Sequence, residues 1–409
     1  ERVQAKLREQ VPLDFELPFN SALFTSRKVP AGRDVFFDMI KKVPIGVALD
    51  RALFGKKYDI GIVGWWANLN YGGTLTYFAL NKAIKDLGYS VMMIRAPHSD
   101  ATMPNTDTVP MRFARKHYVI SRLYAHRDMH LLNYACKGFV SGSDQLWNPY
   151  LEQYAGKECF LSFANQNSLR ISYASSYGNV SSFPEQFIAK YKPELKKFDA
   201  VSVREDYGIE LSKKYFDVDA QFVCDPVFLC KREDYEELAK QSSCEFPKKF
   251  TLDFILDPDE EKTTAIKYVA EKLGVDFSCF TDLQNTEQKK QAFKLPDSKI
   301  YANHAIEDLV KAYSKCEFVV TDSFHGTCFA IIFNKPFISI ANHSRGAKRF
   351  ESLLRWTGLT DRMVNSVEEI FSKPELLNPI NYVAVNEKVA AFKSKSLEWL
   401  KAALKKMKY

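Results

Sequence analysis

Short apolar runs alternate with amphipathic stretches along most of the chain, and the alternation begins at Tyr58. Ile60-Gly61-Ile62-Val63-Gly64 predicts a buried strand, Gly72-Gly73 a turn, Leu75 to Leu87 a helix and Val91-Met92-Met93-Ile94 a second strand. Phe139-Val140-Ser141, Ile171-Ser172-Tyr173-Ala174, Ala200-Val201-Ser202-Val203 and Gln221-Phe222-Val223 continue the series. Runs without polar alternation, separated by helical segments, imply βαβ units and a parallel sheet covered on both faces. After Leu229 a polar stretch with Lys231, Arg232, Glu233, Asp234 and Gln241-Ser242-Ser243 breaks the series. It resumes at Phe250 to Leu256 and runs through Val275 to Phe280, Phe318 to Val320 and Phe337 to Ile340. The pattern predicts an α/β chain of two Rossmann-like, doubly wound domains, over 58–235 and 245–375. Ligands of such sheets bind beyond the carboxyl ends of the strands, here expected to face a shared cleft.

Both ends depart from the pattern. Residues 1–57 read as a basic, proline-punctuated N-terminal extension with one helical stretch near Asp34 to Lys42. It suits a docked arm or the tail of an upstream domain, and the chain opens at Glu1 without a methionine. At the other end, Val385, Val389, Phe392, Leu397, Leu400, Leu404 and Met407 recur at helical spacing, with lysines between them. A C-terminal amphipathic helix over 383–409 is expected. It could pack across a domain surface or rest on an acidic membrane.

Composition narrows the partners. The 409 residues are 46% hydrophobic and 26% charged, as in a globular protein with more than one core. No apolar run approaches the ~20 residues that span a bilayer and no basic-then-apolar leader precedes the first strand, so a cytoplasmic location is expected, at most at the inner face of a membrane. The eight cysteines include no C-x-x-C pair, which indicates neither a zinc site nor a disulfide framework. A net charge of +7 favours anionic partners, but the basic residues are dispersed and match no nucleic-acid signature, so a small anion is expected rather than nucleic acid.

The chemistry concentrates in Thr321-Asp322-Ser323-Phe324-His325-Gly326-Thr327-Cys328, between the apolar runs Phe318 to Val320 and Phe329 to Phe333. A histidine there sits where a strand gives way to a helix, whose N-terminus offers unpaired N–H groups and about half a positive charge to an anion. Three further segments join it. They are Gly64-Trp65-Trp66 with Asn70-Tyr71-Gly72-Gly73-Thr74-Leu75, Val140-Ser141-Gly142-Ser143-Asp144-Gln145-Leu146-Trp147-Asn148-Pro149, and Ser202-Val203-Arg204-Glu205 with Cys224-Asp225-Pro226-Val227. With Asn334-Lys335-Pro336-Phe337, this set and its order resemble the polysaccharide pyruvyl transferase family over about residues 58 to 372.

The resemblance implies a GT-B-like pair of Rossmann domains and transfer of a pyruvyl group from phosphoenolpyruvate to two hydroxyls of a sugar. The product would be a cyclic ketal on a surface-polysaccharide precursor, capsule or exopolysaccharide. No cofactor or metal is expected beyond phosphoenolpyruvate as co-substrate. His325 is the candidate general acid, or a charged hydrogen-bond donor to the leaving phosphate. The amides at Gly326 and Thr327 could hold the donor's carboxylate or phosphate, with Ser323 beside them. Arg204 matches a family arginine at the donor, and Lys335, Arg345 and Arg349 are further candidate donor contacts. Asp144 could accept or orient a sugar hydroxyl, or cap a helix. Trp65, Tyr71, Gly72 and Gly73 are candidate acceptor contacts, the aromatics also suiting a core position. Many relatives have arginine where this chain has Ser323, so phosphate neutralisation must fall to other cations. The acceptor is expected to be a sugar on a lipid or nucleotide carrier. The alternative is a GT-B glycosyltransferase with a nucleotide-sugar donor, because fold alone does not fix function.

Overall fold

The computed structural model describes residues 58–96 and 107–407; the predicted extension over 1–57 lies outside the described residues. The first sheet has five parallel strands, β1 (Tyr58–Val63), β2 (Val91–Arg95), β3 (Ile120–Leu123), β4 (Cys136–Ser141) and β5 (Leu169–Ser172), in the order β3-β2-β1-β4-β5, and all but the edge strand β3 arise from the first apolar series. A short parallel pair, β6 (Val201–Val203) and β7 (Ala220–Phe222), continues beside β5 through single bridges at Ile171–Ala200 and Ser175–Val203. The second series forms β8 (Phe250–Phe254), β9 (Asp276–Phe280), β11 (Phe318–Thr321) and β12 (Phe337–Ile340), and the edge strands β10 (Ile300–Tyr301) and β13 (Met363–Val364) add to them, again all parallel, in the order β10-β9-β8-β11-β12-β13. In both sheets the order reverses next to the first strand, between β1 and β4 and between β8 and β11. Ligand crevices of doubly wound sheets open at that reversal.

The central strands are buried because helices cover both faces, whereas the edge strand β3 exposes Arg122 and Leu123. Behind the second sheet, Phe318, Val320, Ile338, Ile340 and Val364 pack against Ala265, Ile266 and Val269 of the helix Glu260–Leu273. Removing such side chains from water stabilises by ~1.5–3 kcal/mol each. The polar stretch after Leu229 is not a plain linker. Arg232–Ala239 is helical, with Tyr235, Leu238 and Ala239 buried on one side and Asp234 accepting the Lys231 amide at 2.8 Å.

The predicted turn at Gly72-Gly73 is the first turn of the helix Tyr71–Asp86, capped by Asn70, whose side chain accepts the Gly73 amide at 2.9 Å. Tyr71 is fully buried, packs edge-on against Phe254 and Phe280, and donates its hydroxyl to the His304 carbonyl at 2.8 Å. It therefore fastens the first helix to the strand ends of the second sheet.

The C-terminal helix spans Tyr382–Leu404 and returns to the first half of the chain. Its buried side includes Val385, Ser396, Leu400, Ala403 and Leu404, and Ser396 accepts the Cys224 amide at 3.0 Å. The apolar stripe is thus used in packing, while Lys395, Lys401 and Lys405 point to solvent. Among the described residues no helix is long and apolar enough to cross a membrane.

Candidate active site

The site grows from the carboxyl ends of β4, β6 and β7. Beyond β4 the chain turns through Asp144, held at φ 84° and bridged to Ser175. Beyond β6 comes Arg204, and beyond β7 comes Asp225, which caps the turn Pro226–Phe228 by accepting the Val227 amide at 3.1 Å. Arg204 is buried and its fork meets three carboxylates, Nε to Glu205 at 3.1 Å, one terminal nitrogen to Asp225 at 2.8 Å and the other to Asp144 at 3.2 Å. Burial disfavours its charge, but Asp144, Asp225 and Glu205 outweigh that and hold it firmly protonated.

The three carboxylates are not equivalent. Burial pushes all of them up, yet Arg204, His325 and Arg349 bring Asp144 below the usual carboxylate range. The contacts with His325 and Arg204 hold Asp225 well below it. Glu205 has too little compensation, and burial leaves its carboxyl raised. At neutral pH the first two are firm anions.

His325 enters from the second sheet, in the first turn of the helix Phe324–Ile332 that follows β11. Its Nε2 lies 2.8 Å from the Thr76 hydroxyl and 3.6 Å from Asp225. Its Nδ1 edge lies against Gly72, where a Cβ would come within 2.3 Å of the ring nitrogen. The ring is thus clamped between the first helix of one half and the Asp225 turn, and only glycine fits opposite it. Phe324 carries a guanidinium on its ring from Arg204, at 4.7 Å, and another from Arg349, at 5.5 Å.

Arg349 completes the cluster. It is buried in the helix Lys348–Thr357, and one terminal nitrogen donates to the Arg345 carbonyl. Its Nε has no acceptor, and no carboxylate lies within ion-pair distance among the described residues. Burial and the neighbouring Arg204 make its charge costly. A buried, unpaired guanidinium is a standing demand for an anion.

The structure brings together Asp144, Arg204, His325 and Arg349, and adds Asp225, Glu205, Thr76 and Phe324, to which sequence reasoning had given no role. Asp225 stood in the motif Cys224-Asp225-Pro226-Val227, but a carboxylate before proline looks like a turn cap, which it also is. Several other expectations need correction. The Gly326 and Thr327 amides are satisfied by Ser323, through its hydroxyl at 3.2 Å and its carbonyl at 2.9 Å, and the Thr327 hydroxyl bonds Ser339 at 2.7 Å. The amides left open at this helix end are those of Phe324 and His325. Lys335 lies past the other end of the same helix and ties the carbonyls of Ser314 and Cys316, at 3.3 and 2.7 Å.

Arg345 makes a two-pronged pair with Asp257, at 2.6 and 2.7 Å, and is not a free cation. Tyr71 is core, and the space beside Gly72 belongs to His325 instead of a sugar. Trp65 is nearly buried and donates its indole N–H to the Tyr154 carbonyl at 2.9 Å. Asp144 caps no helix; besides the Arg204 guanidinium it accepts the amide of the next residue, Gln145, at 2.9 Å. Gly73 faces Asp144, whose carboxylate oxygen would lie in ordinary contact, 3.8 Å from a Cβ placed there.

Comparison with known proteins adds a family. The family model described as Polysaccharide pyruvyl transferase matches residues 70–344. No curated protein sequence matches the chain. Among solved structures, UDP-GlcNAc 2-epimerase from Neisseria meningitidis bound to UDP-GlcNAc aligns with a TM-score of 0.50 at 11% identity, covering 84% of this chain and 100% of that one. A glycosyltransferase from Rickettsia africae ESF-5 aligns at 0.49 and 16% identity, covering 86% and 99%. The wall teichoic acid polymerase TagF aligns at 0.47 and 14%, covering 88% and 92%. At such identities the likeness concerns the fold alone, which is GT-B-like.

Proposed function

The chain belongs to the polysaccharide pyruvyl transferase family, and from that premise we propose that it transfers a pyruvyl group from phosphoenolpyruvate to two hydroxyls of one sugar. The observation that carries the donor is Arg349, a buried guanidinium without a carboxylate, next to Arg204 over the Phe324 ring at the first turn of the helix Phe324–Ile332. A small, highly charged anion fits that demand. His325 gives a proton to C3 of the donor, C2 becomes oxocarbenium-like and takes the first hydroxyl, and the second hydroxyl then displaces phosphate. Two hydroxyl protons are lost, one is gained at C3 and one leaves on hydrogenphosphate, so the reaction balances without a redox partner. Asp225 and Thr76 fix the imidazole. Asp144, held low, is a weak base and suits orienting a hydroxyl better than taking its proton outright.

For the acceptor, we look beyond Trp65 to the exposed rings of Tyr150 and Tyr154 on the segment after Asn148-Pro149. Tyr150 borders a solvent-open cavity of about 580 Å³ lined also by Glu152, Gln153, Lys190 and Tyr191. Aromatic rings with polar neighbours suit a sugar face. A lipid or nucleotide carrier is our reading for the acceptor, and the outward lysines of the C-terminal helix fit an acidic surface.

A nucleotide-sugar donor fits less well. At the carboxyl ends of β8, β9 and β11, Lys262 pairs with Asp322 at 3.1 Å, Lys289 with Asp282, and Arg345 with Asp257. Lys262 also reaches Asp259 at 3.5 Å and Arg345 reaches Asp282 at 3.8 Å, so each of these cations already faces a carboxylate and has little to offer a diphosphate.

Calorimetric titration with phosphoenolpyruvate tests the reading. Wild type should bind it, Arg349→Met should bind at least about tenfold more weakly for a loss near 1.4 kcal/mol, and acceptor-dependent phosphate release should vanish in His325→Gln. Heat from a nucleotide-sugar with none from phosphoenolpyruvate would overturn it in favour of glycosyl transfer.

A further inference from the structure

Away from the cleft, Cys244, His304 and Asp308 place a thiol, an imidazole nitrogen and a carboxylate oxygen within 4.8 Å of one another. The His304 Nδ1 lies 3.9 Å from the Cys244 sulfur and 3.1 Å from Asp308 Oδ2. We propose that these three side chains form a site for a divalent cation of zinc type, clamping the segment before β8 to the helix Ile306–Lys315.

Three features carry it. First, both partners approach the same ring nitrogen. In a nucleophile–base–acid relay the thiol and the carboxylate use opposite nitrogens, so the cluster is not built for that chemistry. Convergence around one point suits coordination instead. Second, the spacing fits. Zinc bonds of roughly 2.0–2.3 Å in a tetrahedron put ligand atoms about 3.3–3.6 Å apart, within a few tenths of the two separations observed. The donor set, one thiolate, one imidazole and one carboxylate, matches a borderline-soft cation and not magnesium or calcium.

Third, the ligands are held from outside. Ser242 donates to the other carboxylate oxygen of Asp308 at 2.6 Å, and the Ala305 amide donates to Oδ2 at 3.1 Å. Lys311 fixes the thiol's segment by bonding the carbonyls of Ser242 and Cys244, at 3.1 and 2.6 Å. Such supports orient metal ligands. Cys244 is also the single half-exposed cysteine; the other seven are buried. No spacing motif announces the site, because 60 residues separate the cysteine from the histidine and the fold alone joins them. The His304 backbone carbonyl accepts the Tyr71 hydroxyl, so the clamp adjoins the fastening of the first helix.

Cobalt(II) titration of the metal-stripped full chain, followed by absorption, tests this. The expected result is one ion per chain, with a sulfur-to-cobalt charge-transfer band and visible bands of a four-coordinate ion, displaced by zinc. Cys244→Ser should lose the charge-transfer band, and His304→Ala should lose tight binding. Ser242→Ala should weaken binding by about 10–100-fold as loss of a support does. All three positions are at least partly solvent-exposed, and circular dichroism checks that the variants fold. Absence of the band in wild type, or its persistence in Cys244→Ser, would overturn the proposal.

Discussion

One arginine facing three carboxylates sets the residue-scale energetics. Asp225 and Glu205 both touch Arg204, yet their carboxyls move in opposite directions, because Asp225 has His325 as a second partner and Glu205 does not. Neutralising each should therefore have different effects. Asp225→Asn leaves Arg204 and His325 short of an anion in a buried site and should cost about 3–5 kcal/mol. Glu205→Gln keeps an acceptor for the Arg204 Nε and removes a charge that burial already disfavours, so its cost should stay under ~1 kcal/mol. Denaturant titration of the two variants checks this; equal losses would contradict it. The pH signs follow. Asp144 and Asp225, lowered on folding, stabilise above the ordinary carboxylate value near ~4 and lose that stabilisation as pH falls below it. Glu205, raised on folding, stabilises below that value and loses the effect as pH rises. The Asp225→Asn variant should show a flatter loss of stability toward acid than wild type. Arg204, Asp144 and His325 were legible because each follows the end of a strand in a named motif. Thr76 and Asp225 were not, since a hydroxyl inside a helix and a carboxylate before proline have ordinary local explanations.

At the scale of the element, two adjacent glycines in the first helix have different surroundings. A Cβ on Gly72 would lie 2.3, 2.5 and 2.6 Å from three atoms of His325. On Gly73 nothing lies nearer than 3.7 Å. Gly72→Ala must displace the imidazole and should lower kcat/KM about 100-fold, as a misplaced reacting group does, with a stability cost of ~1–3 kcal/mol. Gly73→Ala should leave the fold at least as stable, gaining up to ~1 kcal/mol of helix propensity. Phosphate-release kinetics beside thermal melting separates the two, and equal kinetic losses would remove the clamp on His325. The inner strands were legible because runs buried on both faces are apolar throughout; the short edge strands β3, β10 and β13 were not. The fate of the helix amides was not: Ser323 meets the Gly326 and Thr327 donors itself, and capping geometry is decided by backbone angles that periodicity does not encode. Lys335 likewise looked available, but a lysine past a helix end is drawn to the nearest unpaired carbonyls.

Over the whole molecule, strand order is what the sequence pattern cannot supply, since periodicity says which residues are buried and not which strands adjoin. The two matching orders, each reversing beside its first strand, put the Asp144 turn at one reversal and the His325 turn at the other, and so create the site between chain segments about 180 residues apart. The last helix then closes over the first half, and its effect on the site is indirect. Ser396 is fully buried and takes the amide of Cys224, the residue before Asp225. In Ser396→Ala that amide loses its acceptor inside the protein, at a cost of ~1–3 kcal/mol. The displacement passes to Asp225, through which His325 is held, so turnover should fall more than affinity for phosphoenolpyruvate, whose guanidinium contacts arise elsewhere. Ser396→Thr keeps the hydroxyl and should recover most of the stability. Urea denaturation with calorimetry and phosphate release on both variants checks the chain of effects. A Ser396→Ala protein that is destabilised yet turns over like wild type would confine the helix to packing.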